Sequence, residues 1–333
     1  MCGLNGKGKT NLLDAIYQLC FTKSYFGKAD SMVATFGKSG FSITGTFTKN
    51  DQSQVISLIL RESKKKELLV DKELISPFSL HIGKLPLVFI APDDTDLITG
   101  SSEIRRKMID TILSQIDKDY LKNLINYHKV LNERNSYLKR LSFGESMDET
   151  LLDSFDHQLV HFGGYIIETR LAFFSNFIPI ALTNYAVISN ELETPSLNYV
   201  LSTDKELYLE KLKKNRQRDI FLQRTTIGIH KDDMEILLNE MGFKLTASQG
   251  QRKSMLFALK LAEFTILKSH FGYEPILLLD DVFEKLDHER LLQLLNWVCV
   301  KNKGQVILTD THPERVQVLL DEINVPYQSI ILN

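Results

Sequence analysis

The chain has little that would betray a specialised environment. It has three cysteines, Cys2, Cys20 and Cys299, in 333 residues. They are scattered, odd in number and never spaced C-x-x-C, which argues against a disulfide framework or a thiolate zinc site and fits a reducing cytosol. The formal net charge is only −2, so no overall basicity announces nucleic acid, and any such binding must rest on local patches. No unbroken apolar run approaches the ~20 residues of a membrane span. The glycine- and lysine-rich start has no apolar signal-peptide core. The expected location is cytoplasmic. A hydrophobic fraction of 43% leaves ample material for a core.

What is present begins at once. Gly3, Leu4, Asn5, Gly6, Lys7, Gly8, Lys9 and Thr10 match G-x-x-x-x-G-K-[ST], the phosphate-loop pattern. Glycines let backbone N–H groups wrap phosphate oxygens, and a helix N-terminus adds positive dipole. Lys9 would reach the β- and γ-phosphates of ATP, and the Thr10 hydroxyl would ligate Mg²⁺. The competing reading is a glycine-lysine turn beside a helix cap. Apolar spacing over residues 10–21 predicts the helix that should follow.

Strand-like alternation over 41–48 and 54–61, with a weaker run over 67–70, predicts an antiparallel meander. PLVFIA (86–91) reads as a buried strand. From about residue 96 to 223 Gly and Pro become rare and apolar spacing nears 3.6. This predicts an inserted helical lobe with breaks near Asp117, Phe143 to Met147 and Asn190 to Ser202. Mixed structure returns over 224–333: a hairpin turning at Met241-Gly242, a strong helix over 249–268, an apolar strand ending in Asp280 and Asp281, a helix, and another buried strand at QVILTDTH. Residues 1–95 and 224–333 are thus expected to form one α/β nucleotide lobe split by the insert.

Acids at the C-terminal end of the second strand sit where ligands bind in open α/β sheets. Asp280 would hold the metal, and Asp281 is placed to orient an attacking water. Aspartate reaches less far than glutamate, so slow turnover is expected; a kcat well above ~1 per second, in a usual range of roughly 1–1000, would contradict this. Ser248, Gly250 and Gln251 open the strong helix, with Ser248 as N-cap. A second anion site of this kind suggests two copies sandwiching two nucleotides.

GLNGKGKT, SQGQ, LLLDDV, EKLD (284–287) and TDTH (309–312) together resemble the nucleotide motifs of ABC-type ATPase heads. VFIAPDDTDLITGSSEIRRKMIDTILSQID, YHKVLNERNSYLK and RTTIGIHKDD, taken in order, are similar to the RecF family, related to SMC heads. The resemblance spans essentially the whole chain. It implies an ATP-dependent DNA-binding protein of recombinational gap repair, favouring junctions of double- and single-stranded DNA. It further implies an ATP-driven homodimer working with RecO and RecR to load recombinase, and weak DNA-stimulated ATPase activity at most. By position, Ser248, Gly250 and Gln251 would meet the partner's γ-phosphate, Asp287 would act across the interface, and His312 would occupy the switch position. Ile229 and Lys285 depart from the family pattern, and a glutamine-loop equivalent is open, with Asp93 and Asp94 in that region. A transport ATPase subunit, an SMC-type head and a small-molecule kinase are the alternatives. They fit less well the long insert, the absence of sustained heptads, and the motifs beyond the phosphate loop.

The resemblance also implies strands upstream of Gly3, so Met1 reads as a late start. The expectation is a gap beside the strand of Asp280, lost adenine contacts, and weak ATP binding or poor stability. For DNA, the clusters are Lys64 to Lys66, Arg105 to Lys107, and, as first choice, Lys211, Lys213, Lys214, Arg216 and Arg218. The competing reading is a solvated face or internal ion pairs.

Overall fold

The computed structural model describes all residues except Asn5, Phe36, Glu191, Leu192, residues 282–287 and Asn333, and the backbone alone of Pro313 and Arg315. The chain divides into two compact units. One joins Met1–Asp94 to Glu263–Asn333, and the other is Thr95–Ala262. The first boundary lies beside the one expected from sequence; the second falls inside a helix, well beyond residue 223.

In the first unit, α1 (Lys9–Phe21) starts at Gly8, whose φ of 89° only glycine adopts freely. It buries Leu13, Tyr17, Cys20 and Phe21 against Leu87, Phe89 and Leu278. The meander is as expected: β1 (Phe41–Lys49), β2 (Gln52–Leu60), β3 (Lys66–Val70) and the short β4 (Glu73–Leu74), antiparallel in that order. One face buries Ile56, Leu58 and Leu68 against Leu19 of α1. Strand β5 (Leu87–Ile90) is buried along its whole length, as a strand covered on both faces must be.

The second unit opens with α2 (Ser102–Ile116), α3 (Lys118–Ser142) and α4 (Glu149–Ser189). Asp117 caps α3 and Asp148 caps α4, each accepting a backbone N–H of the first turn. Among the described helices, α4 alone is long and apolar enough to cross a membrane by length and composition. Glu168 and Arg170 interrupt its apolar run. Arg170 is fully buried and ion-paired to Asp110 at 2.7 Å and Asp232 at 2.9 Å. The insert is not all helix: β6 (Pro195–Val200) pairs antiparallel with β7 (Asp233–Leu238). Between them lie α5 (Tyr208–Lys214) and α6 (Arg216–Leu222). The expected hairpin is displaced. Its turn is Asn239-Glu240, both at positive φ (50° and 64°), the pattern of a type I′ turn. Met241–Gly242 is the returning strand β8, and 243–246 curls into a helical turn. Helix α7 (Gln249–Phe271) carries the chain into Glu263.

A buried ionic network holds this unit. Arg134 of α3 is fully buried and binds Asp156 at 2.8 Å, Asp219 at 2.8 Å and the Thr225 hydroxyl at 2.8 Å. Asn135 accepts from the Thr225 backbone and hydroxyl. Two segments distant in sequence, YHKVLNERNSYLK and RTTIGIHKDD, are thereby joined. Arg134 engages this network through Nε and Nη1, and removing one partner would strand a buried charge.

The first unit closes with β9 (Ile276–Asp280), α8 (His288–Leu295), β10 (Val306–Thr309) and α9 (Pro313–Glu322). Helix α8 loosens into a π turn over Asn296–Lys301. The parallel sheet has the order β10-β9-β5. The expected gap beside the Asp280 strand is therefore absent, because β5 and β10 flank β9 on both sides. The segment leading into the phosphate loop lies beyond β10 instead, where Cys2 bridges Asp310 on one side and Ile331 on the other.

Candidate nucleotide site

All three parallel strands end in the same direction, and α1 starts from the same end of the sheet. There Gly6, Lys7, Gly8, Lys9, Thr10, Asn11, Asp280 and Asp281 line a cavity of about 190 Å³. Gly6 and Gly8 have φ of 82° and 89°, and a Cβ on either would meet nothing within 4 Å. Their backbone is bent for a concave cradle, and the space above it is open. Gly3 is packed differently: a Cβ there would lie 2.5 Å from the Leu332 carbonyl oxygen. Asn5 lies outside the described residues.

Lys9 is buried, and its ammonium donates to the carbonyls of Gly3 at 2.5 Å and Leu4 at 3.1 Å. It is folded over its own loop, so a phosphate would have to draw it away from these carbonyls. The Thr10 hydroxyl donates to Asp280 Oδ2 at 2.8 Å. The expected metal pair is thus brought together from positions at opposite ends of the sequence. Among the described residues no group of three or more His, Cys, Asp or Glu side chains could hold a metal. Two oxygen ligands on an open cavity fit Mg²⁺, which is commonly held by one or two protein oxygens with phosphate and water oxygens completing its shell.

The sequence reading missed Thr309. This fully buried residue donates its hydroxyl to Asp280 Oδ1 at 2.6 Å, and its oxygen accepts from the Asp281 backbone N–H at 3.2 Å. One side chain therefore holds the Asp280 carboxylate and the Asp281 backbone. Its signal was the first letter of TDTH, where attention had gone to His312. Asp281 has φ of 44°, a left-handed turn that ends the strand. The His312 side chain is exposed, with Nδ1 2.9 Å from the Thr311 hydroxyl, while the His312 backbone N–H donates to Asp310 Oδ1 at 2.7 Å. Of the residues left open in the glutamine-loop region, Asp94 is bound by the Tyr25 hydroxyl at 2.5 Å and the Ala91 N–H at 2.9 Å, whereas Asp93 faces solvent. Burial first, and then Asp94, push the Tyr25 hydroxyl well above its ordinary range.

Ser248, Gly250 and Gln251 lie in the other unit, at the start of α7. Gln251 N–H donates to Ser248 Oγ at 3.2 Å, and Ser248 N–H donates to Gln251 Oε1 at 2.6 Å. This is a capping box. The exposed Ser248 hydroxyl accepts here and retains its own proton for donation. Asp287 and Lys285 lie outside the described residues.

The basic clusters are partly neutralised. Arg105 makes a bidentate pair with Asp233 at 2.7 and 2.9 Å. Lys66 pairs with Asp30 and Lys65 with Glu67. Arg216 binds the buried Asp156 at 2.7 Å and also Asp153, to which Lys213 lies at 3.2 Å. Lys211 is 4.0 Å from Asp204.

No family model matches the chain. Single relatives match it along nearly its whole length. The DNA replication and repair protein RecF of Cytophaga hutchinsonii is 39% identical over 334 residues, covering 99% of this chain and 88% of that protein. The protein of the same name from Flavobacterium johnsoniae is 40% identical, covering 98% of this chain and 91% of that one. The chain belongs to the RecF family. Among solved structures, the recombination mediator protein RecF-ATP of the RecFOR pathway superposes with a TM-score of 0.85 at 30% identity, over 93% of this chain and 85% of that one. An Smc head domain with an extended coiled coil, derived from Pyrococcus furiosus, superposes with a TM-score of 0.50 at 14% identity, a likeness of fold alone. The RecF-family chain therefore has the ABC-type ATPase head fold with an inserted lobe.

Proposed function

We propose that this RecF-family chain binds Mg-ATP at Gly3 to Thr10, closes as an ATP-dependent homodimer on DNA, and acts with RecO and RecR in recombinational repair of gaps. The observation that carries the nucleotide reading is the Thr10–Asp280 pair on the open cradle of Gly6 and Gly8. Lys9 would neutralise the terminal phosphates, and Thr10 with Asp280 would hold Mg²⁺. A bound Mg²⁺ would offset phosphate charge. Asp281, its backbone N–H held by Thr309, would hold the attacking water. Ser248, Gly250 and Gln251, with Asp287, would face the nucleotide of the second copy, where a capped helix start suits an anion. His312, beyond the end of β10, would respond to the occupied site.

Lys211, Lys213 and Lys214 on α5 are the proposed phosphate-contacting cations; Arg216 is held by its two aspartates and contributes mainly to the fold. The test is DNA binding with and without Mg-ATP, alongside sizing by light scattering. ATP should raise both DNA affinity and the dimer fraction. Charge reversal at Lys213 and Lys214 should lower DNA affinity and flatten the log–log salt dependence by about one to two. An unchanged salt slope would remove this face from the DNA site.

A further inference from the structure

We propose that Phe221 is a stacking platform for an unpaired base, making the α5–α6 face selective for single-stranded DNA. The inference rests on the DNA reading of that face and adds to it the residue that would tell single strands from duplex.

The inner side of this helix pair is firmly anchored. Leu212 and Asp219 are fully buried, and Ile220 packs on the cluster of Tyr137, Leu138, Leu141 and Leu152. Arg216 binds Asp156, itself bound by Arg134. With the inner side fixed, the outer side is fixed too. Lys211 and Lys214 on α5, and Arg218 and Phe221 on α6, are each three residues apart and so share a face of their own helix. Phe221 is 83% exposed, so its ring adds almost nothing to the core.

Its surroundings are cationic. Among the described residues Lys214, Arg218 and Arg224 carry no ion pair. Arg224 follows Phe221 by three residues. The Lys231 ammonium is held below its ordinary range by partial burial and by repulsion from Arg224 and Arg106. The cationic track therefore continues past Phe221. The acids Glu210 and Asp204, the latter 4.0 Å from Lys211, lie at the far end from Phe221. A bare aromatic ring between unpaired cations suits a ligand with a π-face and regularly spaced negative charges. Single-stranded DNA offers both, because aromatic stacking accepts any base while lysine and arginine contact phosphates. A duplex offers only the phosphates.

The test compares wild type with Phe221→Ala, Phe221→Leu and Phe221→Trp, using anisotropy of a labelled oligo-dT strand and of a labelled hairpin duplex. Phe221→Ala should weaken oligo-dT binding by about 5- to 150-fold, the range for loss of one stacked base, and leave duplex affinity and the melting temperature unchanged. Phe221→Trp should restore binding, with its added emission quenched on saturation; Phe221→Leu should not. If Phe221→Ala binds oligo-dT as wild type does, the platform is refuted, while the basic-face reading stands provided charge reversal at Lys213 and Lys214 still weakens binding. Rescue by Leu equal to that by Trp would also overturn it, pointing to an apolar contact with a protein. Equal loss on both DNAs would overturn it as a structural effect. Wild type binding neither DNA would remove the DNA reading together with this one.

Discussion

Thr309→Val keeps the shape of the side chain and removes only the hydroxyl. In the structure that hydroxyl donates to Asp280 at 2.6 Å and accepts from the Asp281 N–H at 3.2 Å, with no exposure to water. Valine would leave one oxygen of a buried carboxylate short of a partner, while the Asp281 N–H keeps the Thr309 backbone carbonyl at 3.2 Å. A hydrogen bond to a charged group contributes about 1.5–3 kcal/mol. The expected loss is therefore roughly 1.5–3 kcal/mol in the stability of the nucleotide-binding unit. Trp297, the one tryptophan, lies in the same unit, edge-on to Phe264 at 5.4 Å. Its emission reports that unit's unfolding in urea. With a slope of about 2 kcal/mol per molar, the midpoint should fall by about 1 M. Any ATP hydrolysis should fall further than ATP affinity, because the Asp280 carboxylate and the Asp281 backbone each lose a tether while the phosphate loop is untouched. Thr309→Ser, which restores the hydroxyl, should recover most of both. A valine variant with an unchanged urea midpoint and unchanged turnover would refute the positioning role.

Two further outcomes follow from the inserted lobe. Arg134→Met should cost about 3–5 kcal/mol, the usual price of stranding a buried charge, because Asp219 loses its cation while Asp156 keeps Arg216; chemical denaturation followed by circular dichroism measures it. His230 gives a pH signature. Its Nε2–H donates to the Thr225 carbonyl at 3.0 Å, so its Nδ1 accepts from the Tyr127 hydroxyl at 2.7 Å, which leaves the Tyr127 oxygen to accept from Tyr208 at 2.8 Å. Burial, the largest cause, lowers its pKa from 6.5 to about 4. The folded state thus resists a proton that the unfolded state takes up. The contribution is intact above pH 6.5 and is lost as pH falls from 6.5 toward 4, at up to about 1.4 kcal/mol per unit. His230→Gln should flatten stability against pH in that window; an identical slope in the variant would contradict the assignment.

Much of the nucleotide-binding unit was legible because its signals are local. The apolar runs LVFI and ILLLD could only be buried strands, and Leu13, Tyr17 and Cys20 mark the inner face of the helix after the phosphate loop. What was illegible depends on contacts between distant positions. Thr309 stands 29 residues from Asp280, and nothing local says that its hydroxyl turns toward that acid. The order of the sheet also escaped, because the sequence does not say that β5 and β10 both flank β9; hence the mistaken gap. Arg216 reads as one more cation in a basic run until Asp156, 60 residues away, is seen beneath it. The displaced hairpin has a different origin: Gly242 drew the turn toward itself, while Asn239 and Glu240 adopt the left-handed conformations. Strand β6 was missed because PSLNYV is short and lies inside a break between helices.

The central claim is that the phosphate loop with Asp280 is a working Mg-ATP site, and calorimetric titration of Mg-ATP into wild type and Lys9→Ala tests it most directly. Among the described residues the Lys9 ammonium is hydrogen-bonded to the loop carbonyls of Gly3 and Leu4, so alanine should leave the fold intact while removing the cation meant for the terminal phosphates. Saturable binding by wild type, weakened about ten-fold or more in the variant, a difference of at least about 1.4 kcal/mol, is the predicted result. Equal affinities in the two proteins, or no binding by wild type, would contradict it.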